Sequence, residues 1–245
     1  MADTNVAGLT ELQAINRMLA GIGQAPITQA GLTTVANPDV AIAEETLFEV
    51  SRQIQSEGWA FNKEYNVIMK TNTAKKIVVG TDVMQVDSSH GIYRGGSAQG
   101  TTSNVYQNAD FGNAGYNANL DLIVKQFTTT TGGKTTVENR LYDKRNKTDT
   151  FNRNIQCTVI YYRVFEACPP SIQYYIVDAA TALLCQRIIG DDSMYQMLQQ
   201  RTMESRTYAL QYETEQGDYS FFGAPVSGQY YVPYEPFDTL RRGFY

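Results

Sequence analysis

Histidine is almost absent from this chain: His90 is the only one in 245 residues. Most chemistry that uses imidazole as a base, proton shuttle or metal ligand is thereby excluded before any motif is sought. Cysteine is scarce as well. Cys157, Cys168 and Cys185 are odd in number and widely spaced. That excludes a dense disulfide framework and offers no metal-ligand spacing. Reduced, partly buried thiols are expected, in keeping with synthesis in a cytoplasm. No apolar run reaches the roughly 18 residues that a membrane-spanning helix needs. Met1-Ala2-Asp3-Thr4-Asn5 lacks the basic-then-apolar order of a signal peptide. Positive charge is also short, with a net charge of -5 and a pI near 5.0. A global face for neutralising nucleic-acid phosphates is excluded, although a local patch is not.

What the chain has in quantity is tyrosine, 17 residues. A large apolar ring with a polar tip suits a part-wet interface or the surface of a tyrosine-rich sheet. With 42% hydrophobic residues and a mean hydropathy of -0.35, the chain can bury a sizeable core. Its length allows one large domain or two small ones.

Along the chain, helices give way to strands and strands to helices. Thr10-Glu11-Leu12-Gln13 forms a capping-box pattern, followed by Leu12, Ile15, Leu19 and Ile22 at helical spacing. Gly21, Gly23 and Pro26 end that helix. Asn37-Pro38-Asp39 opens a second, with Ala43, Leu47, Val50 and Ile54 as its apolar stripe and Gly58 as a left-handed stop. From about 63 to 165, short runs rich in Val, Ile, Thr and Tyr predict an antiparallel β domain. They are Tyr65–Met69, Ile77–Val79, Val83–Val86, Leu120–Lys125 and Ile155–Val164. The Gly- and Asn-rich residues 95–119 read as one long loop between strands. Pro169-Pro170 restarts helix with a narrow stripe of Ile172, Ile176, Ala179 and Leu183, and Asp191-Asp192-Ser193 caps a last helix.

The expected fold is α+β. Residues 1–62 and 166–220 form two helical hairpins that share one bundle, and 63–165 form an inserted antiparallel β domain. Residues 221–245 form a separate extended tail. It holds Phe221, Phe222, Tyr230, Tyr231, Tyr234, Phe237, Phe244 and Tyr245 among Pro225, Pro233 and Pro236. So many aromatics need cover. Either the tail folds back on its own helices, or it straps a neighbouring subunit or another protein.

Candidate chemistry is thin. Thr131-Gly132-Gly133-Lys134-Thr135 resembles the end of a phosphate-binding loop, but position 128 is Thr and the sequence after Lys134 reads as strand. Asp191-Asp192 is explained by helix capping. Glu44 and Glu45 are expected on different helix faces, and His90 sits alone in a turn-like Ser88-Ser89-His90-Gly91. Glu64 and Glu166 lie near the expected neck between the two domains, where a carboxylate pair stays open. No catalytic residue, cofactor-binding residue or metal ligand is assigned.

Several stretches carry a family resemblance. They are Leu9–Asn16, Gly21–Pro26, Asn37–Ala43, Glu49–Arg52 running to Gln55–Asn62, Arg140–Asp143, the Pro-initiated helix with Ala179-Ala180, and Gly217-Asp218-Tyr219. Together they are similar to the tail tubular protein A, or head-to-tail adaptor, of T7-like podoviruses. The run through Glu57-Gly58-Trp59 is the most specific. The resemblance implies a virion structural protein and not an enzyme. It implies a homo-oligomeric ring of twelve copies between portal protein and tail nozzle protein. The bore of that ring would pass genome DNA without specific binding, and its outside would help seat tail fibres. It also implies a chain made in the host cytoplasm and placed in the virion tail, with no membrane contact. The aromatic tail, outside the matching motif, is expected to bind portal. Two other classes remain open: a tail-associated glycan hydrolase, and a carbohydrate-binding module in the β domain.

Overall fold

The computed structural model describes residues 8–33, 37–88, 120–131, 134–152 and 154–217. His90, the loop 95–119 and all eight tail aromatics lie outside the described residues.

The first helix, α1, runs Glu11–Gly21. Its start is the expected capping box: Thr10 Oγ1 accepts from Gln13 N at 3.3 Å, and Gln13 Oε1 accepts from Thr10 N at 3.0 Å. Ala14, Ile15, Met18 and Leu19 are buried. A short helix α2, Gln29–Thr33, follows, which the pattern of apolar residues did not announce. Helix α3 spans Pro38–Gln55, with the Asn37 side chain accepting from Asp39 N at 3.0 Å and Pro38 at its first position. Its buried face includes Ala43, Leu47, Val50 and Ile54 as expected, and adds Thr46, Ser51 and Gln55. Gly58 follows with φ +80°, and a Cβ there would lie 2.7 Å from Ile160 Cδ1. Glycine thus serves both the left-handed turn and the close approach of a strand.

The strands are β1 Lys63–Met69, β2 Val83–Ser88, β3 Leu122–Thr131, β4 Lys134–Asp143 and β5 Ile155–Tyr161. One antiparallel sheet has the order β1-β5-β2, and β3 and β4 form a second, two-stranded sheet. The hairpin stays in register from Leu122 opposite Asp143 to Thr131 opposite Lys134. Sequence reading ended β3 near Lys125; the strand runs on through Thr128–Thr131, residue types that favour extended backbone, paired in register with Lys134–Val137. Ile77–Val79 is not a strand. It makes one bridge, Val78 to Arg140, between two hydrogen bonds (Val79 N to Asn139 O, Leu141 N to Ile77 O) before the chain turns at Gly80. β5 stops at Tyr161, and Phe165–Ala167 forms a 3-10 turn instead of continuing it.

Helix α4, Pro170–Ile188, and helix α5, Asp192–Gly217, complete the chain. The expectation of a narrow α4 stripe is corrected. Ile172 and Ile176 are buried, but so are Tyr175, Val177, Ala180, Ala182, Leu184 and Cys185, while Ala179 and Leu183 are only partly covered. A helix apolar on most sides is one surrounded by others. Residues of α1, α3 and α5 share a single apolar cluster with α4, including Met18, Leu47, Ile54, Ile176, Leu184 and Ala209. A second cluster, including Ile77, Leu122, Leu141, Ile155 and Cys157, lies in the strand region. Each fully buried Leu or Ile contributes roughly 1.5–3 kcal/mol. Both clusters are therefore substantial, and the helices from the two ends of the chain are held together by one of them.

Candidate functional site

The sequence-flagged residues do not converge. Thr131 and Lys134 pair across the hairpin, so Lys134 opens a strand and not the helix that a phosphate loop requires. Asp191 Oδ1 accepts from Ser193 N at 2.8 Å and Met194 N at 3.3 Å, the capping role expected of it. Glu64 pairs with Arg163 at 2.9 Å, whereas Glu166 Oε1 lies 3.4 Å from Glu11 N. These two carboxylates thus have different partners. Glu44 and Glu45, adjacent on α3, both border one shallow groove of about 300 Å³ with Ala41, Phe48 and Arg52. Adjacent helical positions lie about 100° apart and can straddle a groove. Among the described residues, no group of His, Cys, Asp and Glu has the makings of a metal site, and no helix is long and apolar enough to cross a membrane.

All three cysteines are free and buried. Burial pushes the Cys157 thiol, with help from Asp87, and the Cys168 thiol up to about 12. Burial and then Asp191 raise Cys185 too. Such thiols are poor nucleophiles and poor metal ligands.

The polar side chains that sequence reading missed sit at junctions. Gln55, Asn62 and Arg163 tie the end of α3 to the exit of β5. Asn62 Nδ2 donates to Gln55 O at 2.8 Å and to Tyr161 O at 3.0 Å. Glu213 of α5 accepts from Ala60 N through both carboxylate oxygens, at 2.8 and 2.9 Å. Arg206 grips Glu57 with two bonds, 3.0 and 2.9 Å, and donates to the Tyr175 hydroxyl at 2.5 Å. Trp59 packs edge-on to that tyrosine at 6.2 Å and donates to Ile54 O. Asp178, buried on α4, binds Arg17 at 3.5 Å, Arg201 at 3.3 Å and the Ser205 hydroxyl. The only sequence signal for these was a polar residue beside an apolar stripe, as Gln55 follows Ile54.

The outer face of α5 has no such partners. Among the described residues of this 26-residue helix, only Ser205, Ala209 and Glu213 are buried. Met197, Met203 and Tyr208 are 71%, 65% and 69% exposed, set singly among polar neighbours such as Gln199, Gln200 and Glu204.

Outward faces, not convergent reactive groups, distinguish the described residues. The described elements form an α+β protein with antiparallel sheets. The chain belongs to the tail tubular protein family, whose family model matches residues 12–123 and 121–219. It is therefore a structural protein of the phage virion tail, in an assembly with oligomeric partners. No curated protein matches the chain.

Proposed function

We propose that this chain is a head-to-tail adaptor subunit: copies of it form a ring, of twelve by the family resemblance, that joins portal protein to tail nozzle protein. Residues 1–62 and 166–220 act as two halves of one helical bundle, with 63–165 projecting as an inserted β domain. The observation that supports this most is α5, buried along one strip and apolar at Met197, Met203 and Tyr208 on its other sides. A ring subunit needs two different faces, complementary to each other, that close by rotation, and the exposed side of a long helix is available as one of them. Genome DNA passes through the bore without specific binding, since an acidic chain with net charge -5 repels phosphates. Tail fibres are seated on the outside of the ring. The chain is made in the host cytoplasm and needs no cofactor.

Residues 221–245 are proposed to grip the portal, with Phe221, Phe222, Tyr230, Tyr231, Tyr234, Phe237, Phe244 and Tyr245 as anchors, because buried Tyr and Phe often carry binding energy. Deleting 221–245 tests this. The truncated chain is expected to melt at the wild-type temperature and to lose portal binding. Unchanged portal affinity would rule out the strap.

A further inference from the structure

Charge is divided unevenly along this chain. Residues 63–165 carry 13 Lys and Arg against 8 Asp and Glu, a net of +5, whereas all other residues carry 7 against 17, a net of -10. Four exposed cations, Lys70, Lys75, Arg145 and Lys147, lie in the turns after β1 and β4, and these two turns are bound together. Phe151 N donates to Lys75 O at 2.8 Å, Lys75 Nζ to Asn152 Oδ1 at 3.2 Å, and Lys76 Nζ pairs with Asp149 at 3.1 Å. Each turn is also stapled internally. Asn72 Oδ1 accepts from Ala74 N and Lys76 N, and Asp143 Oδ1 accepts from Arg145 N. Lys75 and Lys147 hold φ +58° and +52°, a backbone region that a non-glycine residue occupies only at a cost.

The acids of this end are already engaged. Asp149 binds Lys76 and Arg140, Asp121 binds Lys144, and the buried Asp143 accepts from Asp121 N, Arg145 N and Asn146 Nδ2. Lys70, Lys75, Arg145 and Lys147 are exposed, and among the described residues none of them has a carboxylate at ion-pair distance.

Negative charge collects where α1 begins. Glu11 lies beside Glu44 of α3 and Glu166 of the 3-10 turn, and burial together with these two like charges raises its carboxyl. Glu45 borders the same groove as Glu44. Among the described residues, none of these four carboxylates has an ion-pair partner. Among its described residues, one chain thus offers a basic surface without ion pairs and an acidic one whose four carboxylates outnumber the single Arg52 that borders the same groove, and such opposite faces suit a heterologous head-to-tail contact. Nucleic acid fits less well, because it would meet the -10 of the same molecule.

We propose that the basic end formed by Lys70, Lys75, Arg145 and Lys147 docks on the acidic patch of Glu11, Glu44, Glu45 and Glu166 of a second copy of this chain. This contact rests on the ring reading above, to which it adds the residues that would join neighbouring copies. Sedimentation equilibrium on the full chain tests it with two charge-reversed variants, Lys75→Glu/Arg145→Glu/Lys147→Glu and Glu44→Lys/Glu45→Lys/Glu166→Lys. Each variant alone carries one sign on both surfaces and is expected to stay monomeric. An equimolar mixture restores opposite signs and is expected to associate like wild type. Wild-type association is expected to weaken by about tenfold or more between low and high salt, as contacts between exposed charges are screened; this arm needs no variant to fold. Variants that associate alone, a folded mixture that does not associate, or a wild type that is salt-insensitive or monomeric at low salt would each overturn the contact. So would variants that lose only binding to duplex DNA. Association that survives both reversals removes this contact and leaves the ring intact, whereas failure to join portal removes the ring reading itself.

Discussion

Gln55 and Arg163, 108 residues apart in sequence, exchange two hydrogen bonds of 2.8 Å: Gln55 Nε2 donates to Arg163 O, and Arg163 N donates to Gln55 Oε1. One side-chain amide thereby completes the backbone of the segment leaving β5 and fixes it to the end of α3. Gln55 is fully buried and also donates to Ser51 Oγ at 3.0 Å. Gln55→Ala leaves a backbone donor and acceptor without partners, at about 3 kcal/mol. For a chain of this size the melting temperature should fall by roughly 10 °C. A change within about 2 °C would show that water replaces the amide at no cost.

Asp178 is the acceptor for two arginines and a serine from α1 and α5. Arg17 and Arg201 are partly exposed and can be resolvated, so Asp178→Ala should cost about 2 kcal/mol, below the range for fully buried pairs. Asp178→Asn keeps an acceptor for Ser205 and should cost less than Asp178→Ala. Urea denaturation of the two variants measures the order.

Glu11 is held above the usual carboxylate range by burial, then by Glu44 and Glu166. Its folded-state value exceeds its unfolded one, so its ionised form opposes folding above the folded value. That penalty shrinks as pH falls through the folded value and is gone below the unfolded one. Glu11→Gln should raise the melting temperature at pH 7 and make little difference near pH 4. An equal effect at both pH values would point to the cap or to packing instead.

Cys157 and Cys168 are buried with thiols pushed up to about 12. At pH 8 only about 1 in 10,000 such thiols is ionised. Iodoacetamide at that pH should leave the native chain unmodified and add three labels after denaturation in urea, as intact mass would record. Prompt native labelling of either residue would contradict the burial.

Much of the helical part was legible because its signals are local. Thr10 with Gln13, Asn37 with Pro38, and Asp191 before Ser193 all cap helices where their sequence placed them. Helix α4 was misjudged for a nonlocal reason: Ala180, Leu184 and Cys185 are covered by other helices, and no periodicity within one segment reveals that. The strand run Leu120–Lys125 was read too short because threonine is a weaker strand signal than Val or Ile, and the in-register pairing of Thr128–Thr131 with Lys134–Val137 is not visible within the segment. The junction residues Gln55, Asn62, Glu213 and Asp178 were invisible for the same cause, since each is defined by a partner far along the chain.

Native mass measurement of the purified chain with purified portal ring tests the adaptor function most directly. Twelve copies bound per portal ring is the expected mass. A portal ring that keeps its own mass in the presence of excess folded chain would contradict it.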